Sequence, residues 1–176
     1  MRTENIYIRK GEINMISERL AKAINEQLNF ELASGFVYKG MEAYFGKEGY
    51  DGFKHFMKLQ AEEEYEHHQK FAEFLYEVDC TVEYKAIPDV KNDYESPKAA
   101  IEAALEHEKE VTKRIHNLYE IALEEKDYEA ITTLDWFLNE QVEEEDNFRH
   151  ILDQYELLDD AKTTTYWIDK ELGQRQ

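Results

Sequence analysis

What this chain lacks narrows its possibilities before any pattern is sought. Its single cysteine, Cys80, excludes an intrachain disulfide and any Cys-x-x-Cys metal knuckle, and points to a reducing, cytoplasmic setting. Two prolines and seven glycines in 176 residues leave few breakers. With abundant Glu, Ala, Leu and Lys, they predict an all-α protein. No apolar run approaches membrane-spanning length, and residues 1–14 carry charges with no apolar signal-peptide core. Basic residues are scarce: 21 Lys and Arg stand against 40 Asp and Glu, a net charge of −19. That balance argues against a nucleic-acid partner and suits either a protein that gathers cations or a soluble, self-repelling surface.

What is present is helical periodicity. Residues 1–14 read as an N-terminal arm and residues 15–176 as one domain. Ser17 is a candidate N-cap for a first helix whose stripe runs Leu20, Ile24, Leu28, Gly35 and Tyr38, stopping around Gly46 to Gly49. Asp51 is expected to cap a second, with Phe53, Met57, Gln60, Glu64, His67, Phe71, Phe74 and Val78 inward. Periodicity then lapses over 79–95, a long connection for a compact domain. A helix of about 28 residues is about 42 Å long, and such a connection reaches up to about 56 Å, so it can run the length of a bundle. Ser96-Pro97 reads as N-cap and first turn of a third helix, and Asp127 caps a fourth after a short turn. A short last helix falls within Thr163 to Leu172, where Tyr166, Trp167 and Ile168 suggest docking. Two short links and one long one predict a four-helix bundle with a lengthwise crossover.

Each apolar stripe is broken by a carboxylate. Glu31 interrupts the first helix, Glu64 the second, Glu108 the third and Glu144 the fourth, with Gln141 one turn before it. Glu64 and His67 lie three residues apart on one helical face, a two-ligand grip on a metal. A single inward Glu is often a boundary residue with a solvated head. Four at compatible depth, with no Lys or Arg on these stripes, would be costly to bury unpaired. Two divalent cations would neutralise them. Carboxylates with one imidazole and no thiolate suit Fe(II) or Mn(II), with Zn(II) a competitor and Ca(II) disfavoured by the histidine and the rigid helices. With Glu64 bridging, one ion would take Glu31 and His67, the other Glu108 and Glu144, each keeping open positions.

The runs Asn25 to Leu32, Ala61 to His68, His107-Glu108 and Trp136 to Glu145 together resemble bacterial non-haem ferritins, and the resemblance extends from about Met15 to the end. It implies a ferritin-like four-helix bundle with one long crossover between the second and third helices (B and C) and a short C-terminal helix. It implies a di-iron ferroxidase centre, with Glu31, Glu64 and His67 at the first iron and Glu64, Glu108 and Glu144 at the second. Gln141 would lie beside it, and Glu63, Glu140 and Glu143 would form a third, weaker iron site. Tyr38 would supply an electron, although by its position alone it reads equally as a core tyrosine with a bonded hydroxyl. The implied activity is oxidation of Fe(II) by dioxygen or hydrogen peroxide and storage of Fe(III) mineral inside a 24-subunit shell, with no haem expected.

Departures from sister families sharpen this. Bacterioferritin and rubrerythrin centres use a second Glu-x-x-His on the fourth helix, where this chain has Asn147 after Glu144 and Glu143 after Glu140. Tyr65 occupies the place of the bacterioferritin haem methionine. His55, His68, His116 and His150 read as surface or subunit-contact residues, and His107 as pointing off its stripe. A di-metal peroxidase or oxygenase in a small oligomer is the alternative, and a metal-free structural bundle a third reading.

Overall fold

The computed structural model describes residues 16–157 and 161–175, so the N-terminal arm at 1–14 lies outside the described residues. Five helices follow in order: α1 (Glu18–Glu48), α2 (Asp51–Glu77), α3 (Pro97–Glu125), α4 (Tyr128–Leu157) and α5 (Ala161–Leu172). The local chemistry that starts and stops them is largely that read from the sequence. Ser17 Oγ accepts from Leu20 N at 3.0 Å, and Ser96 Oγ from Ala99 N at 3.1 Å with Pro97 in the first turn. Asp127 Oδ1 accepts from Ala130 N at 2.9 Å, starting α4. Gly49, at φ 82°, closes α1 in the left-handed region that glycine enters at little cost.

The start of α2 departs from expectation. Asp51 is its first helical residue and not its cap; Tyr50 holds the cap position without a side-chain bond. The orphan amides of Gly52 and Phe53 are instead taken by Asp169 Oδ1 of α5, at 2.8 and 3.1 Å. A buried carboxylate from the far end of the chain thus caps α2, where the helix dipole also favours it. Gly52 is what permits the approach, since a Cβ there would sit 1.6 Å from the Asp169 carbonyl oxygen.

α1 packs along α2 and α3 along α4; α1 also meets α3, and α5 lies against α2 and α4. The crossover is pinned to α1 by two asparagines. Asn25 Nδ2 donates to Glu83 O at 2.9 Å while its Oδ1 accepts from Glu83 N at 2.8 Å, and Asn29 Oδ1 accepts from Lys85 N at 2.7 Å. These bonds satisfy backbone groups that an extended, unpaired segment would otherwise leave to water.

The apolar interior is divided. One cluster, with Leu20, Ile24, Leu28, Phe71, Leu75, Ile115 and Phe137, fills one end of the bundle. A second, with Tyr38, Phe45, Phe53, Phe56, Ile101 and Phe148, fills the other end. Between them lie buried Gln27, Glu31, Gln60, Glu64, His67, Glu108, Gln141 and Glu144. The fold therefore carries a polar layer sealed by apolar packing on both sides.

Candidate metal centre

All four long helices contribute to this layer, because each inward stripe carries its carboxylate to the same depth. α1 presents Gln27 and Glu31 one turn apart, with Tyr38 beyond; α2 presents Gln60, Glu64 and His67. α3 supplies Glu108, and α4 supplies Gln141 and Glu144. Glu31, Glu64 and His67 each offer an atom such that all three lie within 4.8 Å of one another, as do His67, Glu140 and Glu144. His67 joins the two groups: its Nδ1 is 3.6 Å from Glu64 Oε2 and its Nε2 is 3.8 Å from Glu140 Oε1.

The arrangement differs in detail from the sequence-based partition. Glu108 stands outside both groups, its two oxygens engaged by the Tyr38 hydroxyl and by Gln141 Nε2 at 3.0 Å. Glu140, assigned from the resemblance to a third site, lies with His67 and Glu144. Glu63 is half-buried beside them, accepting from Gln60 Nε2 at 2.6 Å. Glu143 is exposed on α4 and belongs to neither group.

Electrostatically the layer is strained towards protonation. Burial, then the neighbouring Glu64, pushes the Glu31 carboxyl well above the usual range. Burial, then Glu108 and Glu144, does the same to Glu64. The Glu108 carboxyl is also raised by burial, against the pull of its bonds from Tyr38 and Gln141, and Glu144 is pushed up to about 8, by burial and then by Glu108. Among the described residues, no Lys or Arg forms an ion pair with Glu31, Glu64, Glu108 or Glu144. Glu31 Oε2 and Glu64 Oε2 are buried and receive no hydrogen bond from the protein. Such acceptors are expensive to bury, and a divalent cation shared by Glu31, Glu64 and His67 would satisfy both. The donor set is hard oxygen with one imidazole, which fits ferrous iron.

Two supporting residues had no role in the sequence reading. Gln27 Nε2 donates to Glu31 Oε1 at 2.9 Å, and Gln60 Nε2 bridges Glu63 and Glu144 Oε2, the latter at 3.1 Å. Both were detectable, since each is a glutamine on a buried stripe one turn before a stripe carboxylate. Arg175, 3.9 Å from Glu63 Oε1, carried no such signal.

The histidines outside the centre also differ from expectation. His68 is buried and not superficial, because the crossover covers it: its ring lies 5.6 Å from that of Tyr84, and Nδ1 is 3.4 Å from Leu28 O. His107 bonds Ser34 Oγ at 2.8 Å and stacks on Phe30; burial, aided by Arg114, depresses it to about 4, so it is neutral. Trp136 packs its ring 5.5 Å from that of His67, under Lys70.

Comparison with known proteins gives the same architecture. The ferritin family, by its ferritin-like domain, matches residues 21–158. The bacterial non-heme ferritin of Staphylococcus aureus (strain NCTC 8325 / PS 47) is 39% identical over 161 residues, covering 92% of this chain and 97% of its own. That of Staphylococcus haemolyticus (strain JCSC1435) is 38% identical with the same coverage. Among solved structures, the open pore ferritin of the hyperthermophilic archaeon Archaeoglobus fulgidus aligns with a TM-score of 0.89 at 39% identity, covering 92% of this chain and 99% of that one. Four helices, a lengthwise crossover, a carboxylate layer at mid-bundle and identity sustained over nearly the whole sequence have one explanation: the chain belongs to the ferritin family.

Proposed function

We propose that this chain is a ferroxidase and iron-storage subunit that binds Fe(II) in its polar layer, oxidises it and passes the Fe(III) on for mineral deposition. The observation that carries this reading is the pair of buried carboxylate oxygens, on Glu31 and Glu64, that the protein leaves without a donor beside His67. Glu31, Glu64 and His67 would hold one ferrous ion, and Glu64, Glu144 and Glu108 a second once Glu108 exchanges its bonds from Tyr38 and Gln141 for metal. Two Fe(II) give up one electron each, together reducing dioxygen to hydrogen peroxide or hydrogen peroxide to water. The protein's own part is to supply anionic oxygens and to manage protons. Glu144, whose carboxyl is pushed up to about 8, holds its proton at neutral pH and releases it as an ion enters. Gln27 and Gln60 keep their carboxylates aimed inward.

Glu63, Glu140 and Glu143 would retain a third, weaker iron; one electron from that Fe(II) and one from Tyr38, in contact with Glu108, would together reduce the hydrogen peroxide formed from dioxygen on to water. Membership of the ferritin family supports a homo-oligomer; the assembly we propose is a shell of 24 subunits, in which exposed Tyr166 and Trp167 would meet neighbours. No helix among the described residues is long and apolar enough to cross a membrane. The cytoplasm is the setting we propose for the shell, in keeping with a chain that has a single cysteine.

The test is anaerobic loading with Fe(II) followed by admission of dioxygen, read by ferric absorbance, together with size-exclusion chromatography. Wild type should oxidise rapidly and elute as a large shell, and Glu64→Ala should slow oxidation at least about 100-fold. Equal rates would remove Glu64 from the centre. Elution as a dimer would favour a small-oligomer peroxidase or oxygenase.

A further inference from the structure

The C-terminal segment is laid along α2 and ends at the acidic edge of the centre. Asp169 caps α2 at Gly52, and Gly173 follows so close that a Cβ added to it would lie 3.6 Å from Gly52 Cα. One turn further on, His55 Nε2 lies 2.8 Å from the Arg175 carbonyl oxygen. The Arg175 guanidinium then rests on the face of Phe56, 4.8 Å from the ring centre, a cation–π contact that fixes its direction. From there Nη2 comes 3.9 Å from Glu63 Oε1. Glu63's other oxygen accepts from Gln60 Nε2, which also donates to Glu144 Oε2, so Arg175 stands one carboxylate and one amide from the centre.

This placement is specific. Among the described residues, Arg175 is the only Lys or Arg in an ion pair with any of Glu31, Glu63, Glu64, Glu108, Glu140, Glu143 or Glu144. It is half-buried, anchored by its own carbonyl and by Phe56, and therefore does not swing freely as a surface arginine does. A metal ion taking Glu63 as ligand would displace this guanidinium or bind beside a fixed positive charge.

We propose that Arg175 is a built-in counter-cation for the Glu63–Glu140 edge, competing with a third metal ion for Glu63. The C-terminal segment thereby sets how strongly the outer site retains iron. Arg175 is a positioning residue: it acts through Glu63 and touches neither of the first two ions. This inference rests on the di-metal reading proposed for the centre.

The test is calorimetric titration of the metal-free, assembled full chain with Zn(II), which is redox-inert. The first two equivalents per subunit report the centre, and the third reports the outer edge. Arg175→Gln should tighten the third equivalent about tenfold, the scale expected for a half-exposed charge next to a divalent ion. Arg175→Lys should restore weak third-site binding. Glu63→Gln should abolish the third equivalent and leave Arg175→Gln without effect when the two are combined. A third equivalent of the same affinity in wild type and Arg175→Gln overturns the proposal, as does the lack of a third equivalent in every variant. Loss of the first two equivalents in wild type overturns the di-metal reading itself, and the proposal with it.

Discussion

Replacing Glu144 with glutamine should make the metal-free protein more stable and the metal-loaded protein less so. Burial and Glu108 push the Glu144 carboxyl up to about 8 from an ordinary 4.5, and at 1.36 kcal/mol per decade that rise is worth about 5 kcal/mol once both states are ionised. Because the folded value lies above the unfolded one, the stabilisation from this group is complete below about pH 4.5. It is lost as pH rises through about 8. At pH 7 the folded state still holds the proton and has forfeited about 3 kcal/mol of that contribution. Glu31, Glu64 and Glu108 are raised too and add losses of the same sign. Metal-free wild type should therefore melt progressively lower between pH 5 and pH 9. Glutamine removes the charge and keeps an oxygen for Gln60 Nε2, now 3.1 Å from Glu144 Oε2. Metal-free Glu144→Gln should gain about 3 kcal/mol over wild type near pH 8, or about 6–12 °C in melting temperature for a chain of this size. Calorimetric melts with EDTA at pH 5 and pH 8, repeated with excess Zn(II), measure it. Zn(II) should reverse the order, because ions bound by the folded state alone stabilise wild type more. Equal melting of metal-free wild type at both pH values, or a lower melting temperature for metal-free Glu144→Gln at pH 8, would refute the view of this layer as a store of unpaired charge.

Two further outcomes follow from named contacts. Tyr38→Phe removes the hydroxyl bonded to Glu108 and should destabilise the metal-free protein by about 1–3 kcal/mol, read by urea melts. If the iron oxidised per dioxygen also changes, Tyr38 donates an electron; slower oxidation at fixed stoichiometry limits it to holding Glu108. Gly52→Ala places a Cβ 1.6 Å from the Asp169 carbonyl oxygen, so α5 must shift and its cap on α2 weaken. The expected cost is about 1–3 kcal/mol with faster proteolysis at the C-terminus, and unchanged melting and cleavage would refute the capping role.

Much of the architecture was legible because helix starts and helix faces are local. Ser17, Ser96 and Asp127 cap the helices they precede, since a side-chain oxygen two or three residues ahead of an orphan amide needs nothing from the rest of the fold. Asp51 misled because α2 starts beneath another helix, and Asp169 takes the amides that a local cap would have taken. His68 misled likewise: its neighbours on α2 make it look superficial, and only the crossover buries it.

By itself the sequence determined that four helices would each bring one carboxylate inward, for 3.6-residue periodicity dictates which side chains share a face. Tertiary structure alone decided how those carboxylates divide. Glu108 turns to Tyr38 and Gln141, while Glu140 draws towards His67 and Glu144, choices that depend on side-chain distances between helices. It also decided that Arg175 reaches Glu63. That contact joins residues far apart in the chain, and no periodicity encodes it, because it exists only once α5 has docked on α2.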